Sequence, residues 1–244
     1  MQYIKAENLK CRHTMLNHLL LIAPIITVLF AFLAGGLNIF QSTGMYWWYM
    51  FILQGMIAVL CYFSVRIEEV SGNGKIVYSL PVNLKKIKFA KNLLMVGKLV
   101  IAHMVLIVLL MAVAVILFPD YVVYTFTELL LGNIVIVFTS MWQIPFCFIM
   151  MKKLGMFVPI VINTLMGLIT IVFIGNTSFW YIWPYCWSAK EMESFLRINI
   201  NGVAQSHVES IGIGNVIVII MAIILFFVFT ELDAKLFEKG GEHK

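Results

Sequence analysis

Long apolar runs separated by short polar segments dominate the pattern along this chain. Six of these runs approach the roughly 20 residues that a helix needs to cross about 30 Å of hydrocarbon. They are apolar on every side, whereas a transmembrane strand would show about ten residues of strict alternation. We therefore predict an all-α integral membrane protein with six transmembrane helices. The predicted spans are residues 19–36, 45–65, 99–118, 129–151, 154–174 and 211–230.

Cationic residues are concentrated in alternate connections between these spans. If the N-terminus is cytoplasmic, the outer connections hold only Lys190 and Arg197. Because inner loops carry the excess of Lys and Arg, this distribution predicts that both termini are cytoplasmic. The inner cations are Lys5, Lys10, Arg12, Arg66, Lys75, Lys85, Lys86, Lys88, Lys91, Lys98, Lys152, Lys153, Lys235, Lys239 and Lys244.

Composition supports a membrane environment and excludes a soluble domain. Hydrophobic residues make up 62% of the chain, charged residues make up 12%, and the mean hydropathy is +0.97. Soluble domains carry roughly 25% charged residues. The net charge of +5 follows from the cations on the inner face, next to anionic lipid, so the basic balance implies no nucleic-acid partner.

Two inner polar segments are candidates for structure of their own within a single transmembrane domain, 1–244. Segment 1–17 mixes apolar and cationic residues, which suits a short helix at the inner interface, although an unstructured basic tail is the alternative. Segment 66–98 is the longest inner connection. Its turn-forming residues 71–74 precede Asn83, which can cap a helix that leads into the third span. A solvated basic loop is the alternative for this segment.

The outer loop 175–210 opens with many aromatic residues, among them Trp180, Trp183 and Trp187. Such side chains favour the membrane–water boundary, so an interfacial or re-entrant anchor is one interpretation, and a peptide-contacting surface is the other. Cys186 is the cysteine that we predict to face the exterior, within reach of an impermeant thiol reagent. We expect no disulfide framework within the chain.

Nucleotide and metal motifs are missing from the sequence. Residues 72–76 lack the spacing of a phosphate-binding loop and its Ser or Thr. The five histidines lie far apart in the sequence, without metal-ligand spacing. Glu68 and Glu69 suggest an intramembrane protease, but Asn73 stands where that pattern has Arg, and His103 has no matching Asn four residues later. We therefore expect no enzyme activity, cofactor or metal in this chain.

The predicted spans contain Gln54, His103, Gln143 and Asn163 but no Asp, Glu, Lys or Arg at depth. Ionisable residues inside the membrane mark proton and ion relays. Their absence argues against a carrier driven by protons or ions. We expect the energy for any transport to come from a partner.

Two stretches resemble a known transporter superfamily. Residues 6–14, followed by 21–24 in the first span, resemble the opening of permease subunits of lantibiotic-immunity ABC transporters. The other stretch resembles the cytoplasmic coupling segment of ABC-2 type exporter permeases. It comprises Glu68, Glu69, Gly72, residues 78–82, Ile87 and Lys91.

The resemblance implies an ABC-2 permease-like fold (type V exporter) that pairs with a second, homologous permease and two copies of a cytoplasmic ABC ATPase. That ATPase would bind ATP and magnesium. A short helix over 77–91 would sit in a groove of the ATPase and transmit its closure to the second and third spans. The coupling residues that this implies are Glu68, Glu69, Gly72, Leu80, Pro81, Lys85 and Lys91.

The resemblance also implies a cationic antimicrobial peptide as substrate, expelled from the plasma membrane of a Gram-positive bacterium to give self-immunity or resistance. The predicted outer side has a net charge of −3 from Lys190, Arg197, Asp120, Glu128, Glu191, Glu193 and Glu209. A basic peptide would be attracted to it. The candidate residues for substrate contact are Trp180, Trp183, Trp187, Glu191 and Glu193.

Two alternative functions remain open from the sequence. An ABC-2 permease could export another amphiphilic antibiotic or a lipid-linked substrate. A non-transporting membrane protein could instead protect or regulate by binding a partner.

Overall fold

The computed structural model describes residues 2–12, 14–36, 38–70, 82–205 and 211–242, and its regular structure is helical apart from one isolated antiparallel bridge. We label the helices α1 to α9 in chain order. They are α1 (Gln2–Lys10), α2 (Met15–Gly35), α3 (Phe40–Val70), α4 (Leu84–Leu117), α5 (Phe126–Ser140), α6 (Gln143–Leu154), α7 (Val158–Phe173), α8 (Pro184–Phe195) and α9 (Ile213–Glu242). Short 3₁₀ turns cover Pro119–Tyr121 and Ser178–Tyr181.

Five helical stretches in the described part of the chain are long and apolar enough to cross a membrane. They are α2, α3, α4, the combined α5 and α6 (Phe126–Leu154), and α9 as far as Glu238. Large apolar side chains project outward from them, such as Leu33 at 82% exposure and Ile224 at 54%. Water would not favour such surfaces, whereas lipid does. The chain is therefore an all-helical, multi-pass membrane protein, and the fifth predicted span, 154–174, corresponds to the shorter α7.

Two of the long helices are irregular in their middle. In α3 the turn Trp48–Ile52 is a π-helix, a wider turn that often occurs at functional sites. Between α5 and α6 the helix is interrupted at Met141 and Trp142. Pro145 lies four residues after Met141 and has no N–H for its carbonyl, which accounts for the interruption.

Helix α7 packs directly against the π-helical turn of α3. A Cβ atom at Gly167 would collide with the carbonyl oxygen of Met50, so the close approach of the two backbones requires glycine here. The fully buried core beside this contact includes Trp48, Tyr49 and Leu53. A second apolar cluster joins α8 and α9 to the break between α5 and α6, through Trp142, Trp187 and Phe226.

The inner connection differs from the predicted arrangement in one respect. Asn83 caps α4 as predicted, with its Oδ1 accepting a hydrogen bond of 3.0 Å from the backbone N–H of Lys86. The helix that it caps leads into the third span, as the sequence predicts, so residues 84–91 do not form the separate short helix that the resemblance implies. They are the first turns of α4, whose 34 residues extend about 51 Å and so continue well past the hydrocarbon. The remainder of the predicted short helix, 77–81, lies outside the described residues.

All four cysteines are free and buried, which corrects the prediction that Cys186 faces the exterior. Its side chain is fully buried in α8, with Sγ 3.9 Å from the carbonyl oxygen of Thr170. Burial raises the pKa of the Cys186 thiol to about 12. Because the thiolate is the reactive form, an external reagent should not label this residue.

The orientation predicted from the cations can be tested with introduced cysteines, since the native ones give little background. Asn201 is exposed on the predicted outer side and Lys153 on the predicted inner side. In intact cells, an impermeant maleimide should label Asn201→Cys and leave Lys153→Cys unlabelled. Permeabilised cells should label both variants, as read by a gel shift. Labelling of Lys153→Cys alone in intact cells would invert the orientation.

Candidate functional site

A buried ionic cluster joins α3 to α4 at their predicted cytoplasmic ends. The Glu68 carboxylate on α3 lies 2.9 Å from Lys91 Nζ and 3.6 Å from Lys88 Nζ, both on α4. Lys91 Nζ also donates to the backbone carbonyl of Ser64 at 3.3 Å. The side chains of Lys91 and Lys88 are only 1% and 2% exposed. Burial of two ammonium groups requires such partners, because removing a charge from water costs several kcal/mol.

Aromatic rings complete this cluster and extend it to α6 and α9. Lys91 Nζ lies 4.9 Å from the ring centroid of Phe148, and Lys88 Nζ lies 4.2 Å from that of Phe237. Both distances allow cation–π attraction. Lys152 on α6 adds an ion pair of 2.7 Å with the fully buried Asp233 on α9. Four helices are thereby fixed to one another at the end where segment 71–81 leaves and returns.

The predicted coupling residues have different surroundings. Glu68 and Lys91 are brought together inside the protein, where neither presents a free charge to a partner. Glu69 pairs with Arg66 on the same helix at 3.2 Å, and Lys85 pairs with Glu231 on α9 at 3.3 Å. The other three, Gly72, Leu80 and Pro81, lie outside the described residues.

Sequence reasoning missed Lys88, Lys152 and Asp233 as members of this cluster. The spacing of Lys88 and Lys91 by three residues already indicated a shared helix face. Nothing in the sequence indicated the pairing of Lys152 with Asp233, since 81 positions separate them.

His103 and Glu68 do not form a joint site. His103 Nε2 accepts a hydrogen bond of 3.1 Å from Trp48 Nε1, and its Nδ1 lies 2.9 Å from the carbonyl oxygen of Leu99. Twelve residues of helix, about 18 Å, separate His103 from Lys91, the partner of Glu68. Among the described residues, no three His, Cys, Asp or Glu side chains are grouped to hold a metal ion.

A polar network centred on Asn163 lies where α7 meets the two irregular helices. Asn163 Nδ2 donates to the backbone carbonyl of Gln54 on α3 at 2.7 Å and to Gln143 Oε1 on α6 at 3.1 Å. Its Oδ1 accepts from the hydroxyl of Tyr185 on α8 at 2.7 Å. Gln54 Nε2 in turn donates to the carbonyl of Tyr49 in the π-helical turn, at 3.2 Å. One amide therefore connects four helices.

This network supports the backbone at the π-helical turn through Gln54 and reaches the α5–α6 break through the side chain of Gln143. A π-helical turn and a helix break each leave carbonyl groups without their usual partners, and hydrocarbon offers no water to replace them. Gln54 is the second residue of the α-helix that follows the π turn, and Gln143 begins α6 after the break. The arrangement suits a hinge, because a few buried hydrogen bonds hold two bendable helices in one geometry.

Helix α8 closes the predicted outer end and contains most of the predicted substrate-contact residues. Trp187 is fully buried, and its Nε1 donates to the carbonyl of Tyr181 at 3.0 Å. Trp183 is half-buried and donates to Thr170 Oγ1 at 2.6 Å. The ring of Trp180 stacks on Tyr181 with centroids 3.7 Å apart. Two of the three tryptophans thus hold α8 in place by their own hydrogen bonds.

Glu191 and Glu193 are buried, which corrects the expectation that they form part of an open acidic surface. Glu193 lies 2.8 Å from Lys190 Nζ and accepts from the backbone N–H of Ile200 at 3.2 Å. Glu191 Oε2 accepts from Asn215 Nδ2 at 3.0 Å, and its Oε1 has no hydrogen-bond partner in the part of the chain that the structure describes. These carboxylates serve contacts within the protein, since a buried charge requires partners.

A polar pocket of about 350 Å³ opens beside α8. Its wall combines an acidic group with aromatic rings and already holds one cation, because Lys190 Nζ lies 5.8 Å from the ring centroid of Trp180 and next to Glu193. Such a wall can receive an ammonium group. It is lined by Trp180, Tyr181, Lys190, Glu193, Ser194, Gly212, Gly214 and Asn215.

Loss of the Asn163 side chain should weaken the packing of α7. Asn163→Leu removes three interhelical hydrogen bonds, each worth roughly 0.6 kcal/mol in a membrane protein, so we expect a destabilisation of about 2 kcal/mol. Unfolding of the purified protein by SDS would measure it. The matched control is Thr164→Val, because that hydroxyl bonds only within its own helix, to Ile160. Equal stability of the two variants would contradict a joining role for Asn163.

Glu191 should make stability depend on pH. Burial raises the pKa of its carboxyl group from 4.5 to about 7, so the folded state binds this proton more tightly than the unfolded state. The contribution to stability is therefore complete below about pH 4.5 and is lost as the pH rises through about 7. The thermal midpoint should fall between pH 5 and pH 8 for the wild type and much less for Glu191→Gln. Glu193→Gln, the control, should keep the wild-type dependence.

Comparisons with protein families, with curated proteins and with solved structures found no match for this chain. The functional assignment therefore depends on the sequence patterns and on the geometry described above.

Proposed function

We propose that this protein is a permease subunit of an ATP-driven ABC-2 type exporter that removes cationic antimicrobial peptides from the membrane. The observation that carries this proposal is the ionic cluster of Glu68, Lys88 and Lys91. It joins α3 and α4 at the points where segment 71–81 leaves and re-enters the bundle. A force applied to that segment from the cytoplasm would reach both helices together.

In this proposal the chain crosses the membrane six times, and α7 provides the fifth crossing. Its 16 residues extend about 24 Å, somewhat less than the roughly 30 Å of hydrocarbon. The aromatic residues Phe157 and Phe173 flank it at 72% and 71% exposure, as expected for side chains at the two interfaces. Six crossings return the C-terminus to the side of the N-terminus, in agreement with the distribution of cations.

The proposed movement uses the irregular helices. Binding and release of ATP on a partner ATPase would pull on the inner ends of α3 and α4, and the π-helical turn and the α5–α6 break would bend around Asn163. A second, homologous permease would complete the transport path. ATP and magnesium would be bound by the partner and not by this chain.

The predicted outer side supports a cationic substrate. The polar pocket beside α8 accommodates the ammonium group of Lys190 between Glu193 and Trp180, and a lysine of a bound peptide has the same chemistry. Asp120 is exposed on the same side. The plasma membrane of a Gram-positive bacterium, where such peptides act, is the proposed location.

Resistance conferred on a sensitive host is the decisive measurement. The chain would be expressed with the ATPase and second permease that we expect its neighbouring genes to encode, and tolerance to a panel of lantibiotics would be measured. We expect tolerance to at least one peptide to rise. Absence of both neighbouring genes, or no gain with any peptide, would favour another amphiphilic substrate or a non-transporting role.

Leu80→Ala combined with Pro81→Ala should abolish that resistance while the amount of inserted protein stays unchanged, because the proposed effect of the change is on coupling to the ATPase and not on folding. Leu154→Ala is the matched control, since Leu154 is an exposed apolar residue, 54% accessible, at the predicted inner end of α6. Full resistance in the double variant would count against the coupling role of this segment.

A further inference from the structure

A cavity of about 410 Å³ lies at the predicted cytoplasmic end of the bundle, between α1, the first turns of α4 and the inner part of α9. It is separate from the pocket beside α8, and the proposed transport function makes no use of it. Its wall combines basic, hydroxyl and apolar side chains. Its polar lining residues are Tyr3, Lys85, Lys86, Thr230 and Glu231.

The rim of this cavity carries a net positive charge. Lys85 Nζ and Lys235 Nζ lie 3.3 Å and 3.7 Å from the same carboxylate oxygen of Glu231. That carboxylate is therefore already neutralised by two ammonium groups. Lys86 adds an exposed ammonium group, for which the described residues provide no ion pair. An anionic group entering the rim would meet three cations and one compensated carboxylate.

Thr230 supplies a hydroxyl group in the same wall. Its side chain is 4% exposed, and its Oγ1 has no hydrogen-bond partner in the described structure. Buried hydroxyl groups are normally hydrogen-bonded, so an unpaired one lining a cavity is a position for a ligand acceptor. Tyr3 on α1, which is half-buried, also lines the cavity and carries a second hydroxyl group. Phosphate oxygens are suitable acceptors for both.

An exposed apolar seam leads from the cavity towards the middle of the membrane. It begins where the rings of Phe89 and Phe227 stack, with centroids 6.3 Å apart. Along α4 it continues through Leu93 and Val100, and along α9 through Ile224, at exposures of 39%, 43% and 54%. These spacings of three, four and seven residues keep the side chains on one helix face. The seam suits acyl chains and offers no polar group to a protein.

From these observations we propose that the cavity binds an anionic phospholipid of the inner leaflet. Its phosphate would lie between Lys86 and Lys85 and accept from Thr230, and its acyl chains would follow the seam between α4 and α9. Basic pockets between helices on the cytoplasmic side are suited to acidic lipid headgroups. This proposal needs only the predicted orientation of the chain and is independent of whether the protein exports a peptide.

Native mass spectrometry of the full chain, purified in a neutral detergent with any bound subunits, tests the proposal. Phosphatidylglycerol and phosphatidylcholine would be titrated in parallel, and the wild type should prefer phosphatidylglycerol. Lys86→Gln should weaken phosphatidylglycerol binding about fivefold. The matched control is Lys153→Gln, which removes one exposed cation on the same predicted side that does not line the cavity, and it should leave binding unchanged.

Thr230→Val tests the hydroxyl contact without altering charge or volume. We expect a loss of about fivefold in phosphatidylglycerol affinity with no loss of thermal stability, because the hydroxyl has no hydrogen-bond partner among the described residues. Equal affinity for the two lipids, or equal losses in Lys86→Gln and Lys153→Gln, would overturn the proposal. Intact lipid binding by Lys86→Gln with loss of a cytoplasmic subunit would also overturn it and assign the basic rim to a protein contact.

Discussion

A helix surrounded by hydrocarbon cannot replace a lost backbone hydrogen bond with one to water, and the middle of this bundle is organised around that constraint. The π-helical turn in α3 and the break between α5 and α6 both interrupt regular hydrogen bonding. Asn163 lies between them and satisfies three partners on three other helices. Gly167, one turn further along α7, allows the backbone contact that brings the amide within reach. The hydrogen bonds of Asn163 therefore depend on the close packing at Gly167, and the packing is in turn held by those hydrogen bonds.

At the predicted inner end, buried charged groups must likewise find their partners within the protein. Lys88 and Lys91 are buried because Glu68 and the rings of Phe148 and Phe237 surround them. A buried ion pair contributes little net stability, but removal of one partner is costly, so the pair fixes geometry. In the proposed function, this fixed geometry makes α3 and α4 move together when the cytoplasmic segment between them is pulled.

Most of the acidic side chains at the predicted outer end make contacts within the protein. Glu191 and Glu193 hold α8 against α9 and the segment near Ile200, and Glu128 lies 3.8 Å from Arg197. A negative outer side is therefore less available to a peptide than its net charge suggests. What remains for recognition is the pocket beside α8, where Lys190 already occupies a position between an acid and an indole ring.

The sequence by itself determined the helical class, the approximate positions of the five long apolar helices and the cap at Asn83. These properties follow from local composition and spacing, because hydrocarbon selects length and apolarity. Only the tertiary structure decided that Glu68 and Lys91 face each other, and that Cys186, Glu191 and Glu193 are buried. These depend on which side chains meet across helices, and contacts such as that of Lys152 with Asp233, 81 residues apart, leave no periodic signal in a single chain.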